Sequence, residues 1–197
     1  MEIFLKLTNA ALVGIFLQNQ VFSRALGTNL TLYAARKKQN IIGLFVGIIY
    51  ITTLSSIATY FIDANFSAIP YYNILMPLIY IFAAAAVYII SLIAVWRFLP
   101  GVFRHIKKYV HLSVFNSAVL GALFLQSSLG ASLPEYIGYG LGTGIGFLLA
   151  AYLLYIAKER LNSELVPAAF RGLPITLVYI GVISLALNAL LGYSAAV

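Results

Sequence analysis

The sequence predicts an all-α integral membrane protein, six transmembrane helices forming two inverted three-helix repeats with both the N-terminus and the C-terminus outside. Three observations carry this. Of 197 residues, 62% are hydrophobic and 9% charged, and the mean hydropathy is +0.99, which lies outside the range of soluble domains. Six apolar runs each approach the roughly 20 residues a helix needs to cross hydrocarbon. Basic residues also gather in alternate loops, as cytoplasmic loops do.

The runs follow one another as Ile3 to Ala25, Ile41 to Ile62, Tyr72 to Trp96, Val110 to Leu129, Glu135 to Ala157 and Pro174 to Tyr193. The first has no basic leader and no small-residue cleavage site, so it reads as a retained span rather than a signal peptide. The second closes on Asp63, and the sixth opens on Pro174, which suits a helix start. All are too long and too continuously apolar for the alternating strands of a barrel. No polar stretch between them could bury a core of its own, so residues 1–197 form a single membrane domain, with repeats over about 1–96 and 109–197.

Arg24, Arg36, Lys37 and Lys38 close or follow the first run; Arg97, Arg104, Lys107 and Lys108 follow the third; Lys158, Arg160 and Arg171 follow the fifth. The loops after the second and fourth hold Asp63 and Glu135 and no cation. Even loops and both termini are therefore expected outside. The net charge of +7 is explained by basic loops lying on an anionic leaflet, so the lipid bilayer is the expected partner and nucleic acid is not. With no cysteine, disulfides, thiol nucleophiles and a thiolate-held cluster on this chain's own ligands are excluded.

Three spans per half is an odd number, which makes related halves inverted, with functional elements meeting near the midplane. The first span carries Gln18, Asn19 and Gln20, and the fourth, its counterpart in the other half, carries Asn116 and Ser117. Interhelical hydrogen bonding explains such side chains equally well. In the fifth span GYGLGTGIG sets glycines at 138, 142 and 146 and at 140 and 144, two smooth faces for close helix packing, the favoured role, or else a weak helix that breaks to line a ligand. Asp63 is a candidate ion entrance at the outer end of its helix. His105 and His111 are six residues apart, which fits no helical metal pair, and Asn29-Leu30-Thr31 and Asn65-Phe66-Ser67 match the glycosylation pattern only formally. The sequence contains no Ser-His-Asp set, Walker loop or buried carboxylate pair.

The segment KERLNSELVPAAFRGLPITLVYIGVISLAL, Lys158 to Leu187, resembles the link between the last two spans of the RnfA and NqrE subunits: E-R-L, a spacer, V-P-x-P-F-R-G, then an apolar helix. Glu159, Arg160, Val166, Pro167, Phe170, Arg171 and Gly172 match it. The likeness continues in Asn116-Ser117-Ala118-Val119-Leu120-Gly121, similar to the family's N-C-A-V-L-G, in Leu26-Gly27 ahead of Arg36 and Lys37, and in Ile62-Asp63.

That resemblance implies a membrane subunit of an Rnf/Nqr-type complex, which couples electron transport to Na+ or H+ movement across a bacterial cytoplasmic (inner) membrane. It also implies a homologous RnfE/NqrD-like sister subunit, other Rnf/Nqr subunits, and an intramembrane 2Fe-2S cluster to which each sister gives two cysteines. By the same resemblance Ser117 and Asn29 stand where this chain's cluster cysteines belong, and Leu92 stands in place of a family glutamate. Neutral serine and asparagine are poor substitutes for thiolates, so no cofactor is expected on this chain alone. Asn19 and Asn116 are the expected interface between the repeats, and Arg171, in the last basic loop, the expected partner contact. The alternative is a stand-alone secondary transporter or channel on the same inverted-repeat fold, with Asn19, Asn116 and Ser117 around its substrate.

Overall fold

The structure, a computed structural model, describes residues 1–67, 70–98, 100–128 and 130–190. Those residues form nine α-helices joined by turns, with no strand among them. The elements are α1 (Glu2–Leu12), which runs on through a π-helical turn at Val13–Leu17, α2 (Gln20–Arg24), α3 (Thr28–Ala34), α4 (Lys38–Phe66), α5 (Tyr72–Phe98), α6 (Pro100–Val114), α7 (Ser117–Ser128), α8 (Leu133–Leu161) and α9 (Leu173–Leu190). Apolar side chains such as Ile74, Phe82, Ile90, Val182 and Leu185 face outward. Such a surface is at home in lipid and a liability in water.

Helices α4, α5 and α8 are each long and apolar enough to cross a membrane, and Lys107–Val114 with Ser117–Ser128 supplies a fourth candidate crossing bent by 51°. The expected first span is not one continuous helix. It is divided at Gln18-Asn19 and again at Ala25, which adopts a left-handed φ of 56°. Helix α9 is apolar but shorter. The expected ends of the fourth span at Leu129 and of the sixth at Tyr193, and with the latter the C-terminus, lie outside the described residues.

Helix α8 is the central post, packed against α1, the π-helical turn, α2, α3, α4, α7 and α9. Its start is fixed locally: the Glu135 carboxylate accepts the Ser132 N–H at 2.6 Å, Pro134 occupies the first turn, and Lys158 and Arg160 complement the last. Glu135 is thus a helix cap. The two glycine faces are both used. Gly138 and Gly142 lie directly on the backbone of α1 at Leu7 and Ala11, while a Cβ at Gly140 would fall 2.9 Å from Thr53 Cα and one at Gly144 would fall 2.6 Å from Ile49 Cβ. Against this post Leu44, Ile48 and Ile51 of α4 join Phe147, Ala150 and Leu154 in the main core.

A side chain at Gly144 must therefore push α4 and α8 apart. We expect Gly144→Leu to destabilise the protein by about 1–3 kcal/mol, the usual cost of overpacking, read as a fall in the thermal midpoint in detergent. Gly181→Leu, where nothing lies within 4 Å of the added Cβ, is the matched control and should leave the midpoint unchanged.

Candidate functional site

Two helix breaks inside the bundle organise the site, each headed by an asparagine. At the first, Asn19 is fully buried. Its Oδ1 accepts the N–H groups of Val21 at 3.0 Å and Phe22 at 3.2 Å, and its Nδ2 donates to the carbonyls of Ile15 at 2.8 Å and Gly146 at 3.1 Å. One side chain therefore caps α2, satisfies a carbonyl freed by the π-helical turn, and ties both to α8. At the second break Asn116 Oδ1 accepts the Ala118 N–H at 3.2 Å, but its buried Nδ2 has no partner.

Ser117 and Asn29 line one cavity of about 450 Å³ together with Thr28, Tyr33 and Asn116. The Ser117 Oγ accepts the Gly27 N–H at 2.8 Å. Gly27 itself, at φ 75°, has no room for a side chain, since a Cβ would fall 2.8 Å from that of Ala118. The loop between α2 and α3 is thereby seated on the start of α7, which brings Asn29 to Ser117 across 88 residues of chain.

This donor set of amides and hydroxyls does not fit an iron–sulfur cluster. Iron in such clusters is held by thiolates, with imidazole as the known substitute, and the lining residues carry neither. The Ser117 oxygen is moreover already committed to a backbone N–H.

Asp63 lies at the far end of α4 and accepts hydroxyl hydrogen bonds from three tyrosines: Tyr72 and Tyr80 of α5 and Tyr136 of α8, the last at 2.6 Å. It therefore ties three helices together at one point. Arg171 donates from Nε to the Val166 carbonyl at 2.7 Å and from a terminal nitrogen to the Glu164 carbonyl at 2.9 Å, bracing the loop ahead of α9. His111 Nδ1 shares a hydrogen bond with the Tyr88 hydroxyl at 2.9 Å, and the side chain of His105 lies outside the described residues. No group of three or more metal-binding side chains forms among the described residues.

Helix α4 also carries a buried polar stripe that its overall hydropathy does not mark. Thr52, Ser55, Ser56 and Thr59 are all fully buried on one face of α4, leading to Asp63. The spacing i, i+3, i+4, i+7 in TTLSSIAT was the available signal. Also unread were Gln126 of α7, buried with neither end of its amide paired, and the contact of Gln20 Nε2 with the Tyr139 hydroxyl at 2.8 Å.

Comparison with known proteins gives a family and a set of relatives. The family described as "Rnf-Nqr subunit, membrane protein" matches residues 7–194. An ion-translocating oxidoreductase complex subunit from Azoarcus sp. (strain BH72) is 30% identical over 175 residues, covering 88% of this chain and 90% of that protein. Its namesake from Histophilus somni (strain 2336) is 28% identical over 170 residues, covering 86% and 88%. That of Pasteurella multocida (strain Pm70) is 28% identical over 191 residues, covering 97% of each.

Proposed function

Because the chain belongs to the Rnf-Nqr subunit family of membrane proteins, we propose that it serves as a membrane subunit of an ion-translocating oxidoreductase complex in a bacterial cytoplasmic membrane. The observation that carries this is the family match, which runs from residue 7 to residue 194 and so takes in both helix breaks and the loop braced by Arg171. In this reading six spans form two inverted repeats with both termini outside. The paired breaks support it: Asn19 and Asn116 each head a helix that restarts inside the bundle, the arrangement by which inverted-repeat carriers place polar backbone at an ion route. A homologous sister subunit pairs with the chain, and the Arg171 loop meets a neighbouring subunit.

The reading assigns these residues positioning roles. Asn19 and Asn116 hold the ends of broken helices without exposing backbone to lipid, and Ser117 fixes the α2–α3 loop through Gly27. In the family scheme a cluster would carry electrons between sister subunits. This chain contributes no ligand to it, because Asn29 and Ser117 offer an amide and a hydroxyl where thiolates are required.

The test is purification of the tagged chain from its native membrane in mild detergent, with its companions identified and iron measured. We expect other oxidoreductase subunits to co-purify, and any iron at this chain's interface to follow cysteines of a companion. Recovery of the chain alone and free of iron, together with solute or ion flux by the chain in vesicles, would replace this reading with that of a stand-alone transporter on the same fold.

A further inference from the structure

A groove of about 410 Å³ runs between the start of α4, the end of α5 and the middle of α6, away from both helix breaks and from Asp63. Its walls are apolar: Ile42 and Val46 of α4, Leu92 and Val95 of α5, Phe103 of α6. Ile42 is 56% and Val46 49% exposed, so the groove is open along the outer surface of the bundle, where the bilayer lies. At one end the Tyr50 hydroxyl donates to Ser91 Oγ at 3.1 Å. At the other Lys107 lines the mouth, with Nζ 5.6 Å from the centre of the Phe103 ring.

The charge around that mouth is one-sided. Lys38 stands one turn before Ile42 on the same face of α4, while Lys108 turns away, its Nζ 5.4 Å from the centre of the Tyr33 ring. Between Arg24 and Glu135 the sole carboxylate is Asp63. It lies at the other end of α4, about 37 Å along the axis from Lys38 at 1.5 Å per residue, well beyond the screening length of physiological salt. Glu159 and Glu164 belong to the end of α8 and the loop after it, and among the described residues no carboxylate forms an ion pair with Lys38 or Lys107.

We propose that the groove is a binding site for one anionic phospholipid, whose acyl chain lies along Ile42, Val46, Leu92 and Val95 and whose phosphate meets Lys107. Burial of the chain against apolar walls supplies the attraction, and the cations select the headgroup, since basic groups at a membrane surface attract anionic lipid at roughly 1 kcal/mol each. A neutral isoprenoid ligand would fill the same walls and leave Lys107 without a counter-charge. This inference goes beyond the proposed complex, and its test needs neither partner subunits nor turnover.

The experiment is native mass spectrometry of the full chain in mild detergent, titrated with phosphatidylglycerol and with phosphatidylcholine carrying identical acyl chains. We expect phosphatidylglycerol to be retained in preference to phosphatidylcholine. Lys107→Ala should weaken that retention about fivefold, the equivalent of about 1 kcal/mol. Val46→Trp, at an exposed position that tolerates bulk, should block the acyl seat and weaken retention while every charge remains. Equal retention of the two lipids, or phosphatidylglycerol binding indifferent to either substitution, would overturn the proposal and leave membership of the complex untouched.

Discussion

Replacing Asn19 by alanine is expected to cost about 1.5–5 kcal/mol of stability, a capping contribution of about 0.5–2 kcal/mol with two further hydrogen bonds of about 0.5–1.5 kcal/mol each. The side chain makes four hydrogen bonds, two accepted and two donated, and one of them reaches across to Gly146 of α8. Its counterpart gives an internal control. Asn116 makes a single side-chain bond, to the Ala118 N–H, and its Nδ2 is unpaired, so Asn116→Ala should cost no more than a cap, about 0.5–2 kcal/mol. Thermal or denaturant unfolding of the two variants in one detergent decides the matter. Equal losses would mean that the two breaks are held alike and that the Gly146 contact contributes nothing.

Asp63→Ala should be at least as damaging. Hydrogen bonds to a charged acceptor contribute about 1.5–3 kcal/mol each, and Asp63 accepts from Tyr72, Tyr80 and Tyr136. Asp63 is itself half-buried, which argues for the low end of that range. Two such bonds already amount to about 3 kcal/mol. Tyr136→Phe, which removes one donor and leaves the other two, should lose about a third as much, roughly 1.5 kcal/mol. The readout is again the unfolding midpoint, and a loss below about 0.5 kcal/mol for Asp63→Ala, the level of an ordinary surface substitution, would show that the tyrosine ring does not tie α4, α5 and α8 together. A carboxylate with three phenol donors can serve as an ion entrance only if a hydroxyl is displaced, so ion-dependent quenching or shift of tyrosine fluorescence in the wild-type protein, lost in Asp63→Ala, separates an entrance from a tie.

The legible part of the site was its residue types. Asn19, Asn116 and Ser117 stand out because amides and hydroxyls are costly in apolar helices, and the α4 stripe from Thr52 to Thr59 was equally open to a periodicity reading. The breaks were not legible. An asparagine signals a helix start only where the chain before it has already stopped, and here the stop is a π-helical turn followed, six residues after Asn19, by a left-handed alanine. Neither leaves a mark in hydropathy, so the first span reads as continuous.

Taken alone, the sequence determined the membrane class, the long helices α4, α5 and α8, and the two glycine faces of α8. Each depends on residues adjacent in the chain or one helical turn apart, where hydrophobicity and period act directly. Tertiary structure decided which polar groups meet: Asn19 with Gly146, Gly27 with Ser117, Asn29 beside Ser117, and Asp63 with tyrosines 9, 17 and 73 residues away. Away from water a buried polar group must take its partner from whatever helix packs against it, and that neighbour is fixed by the packing of the whole bundle.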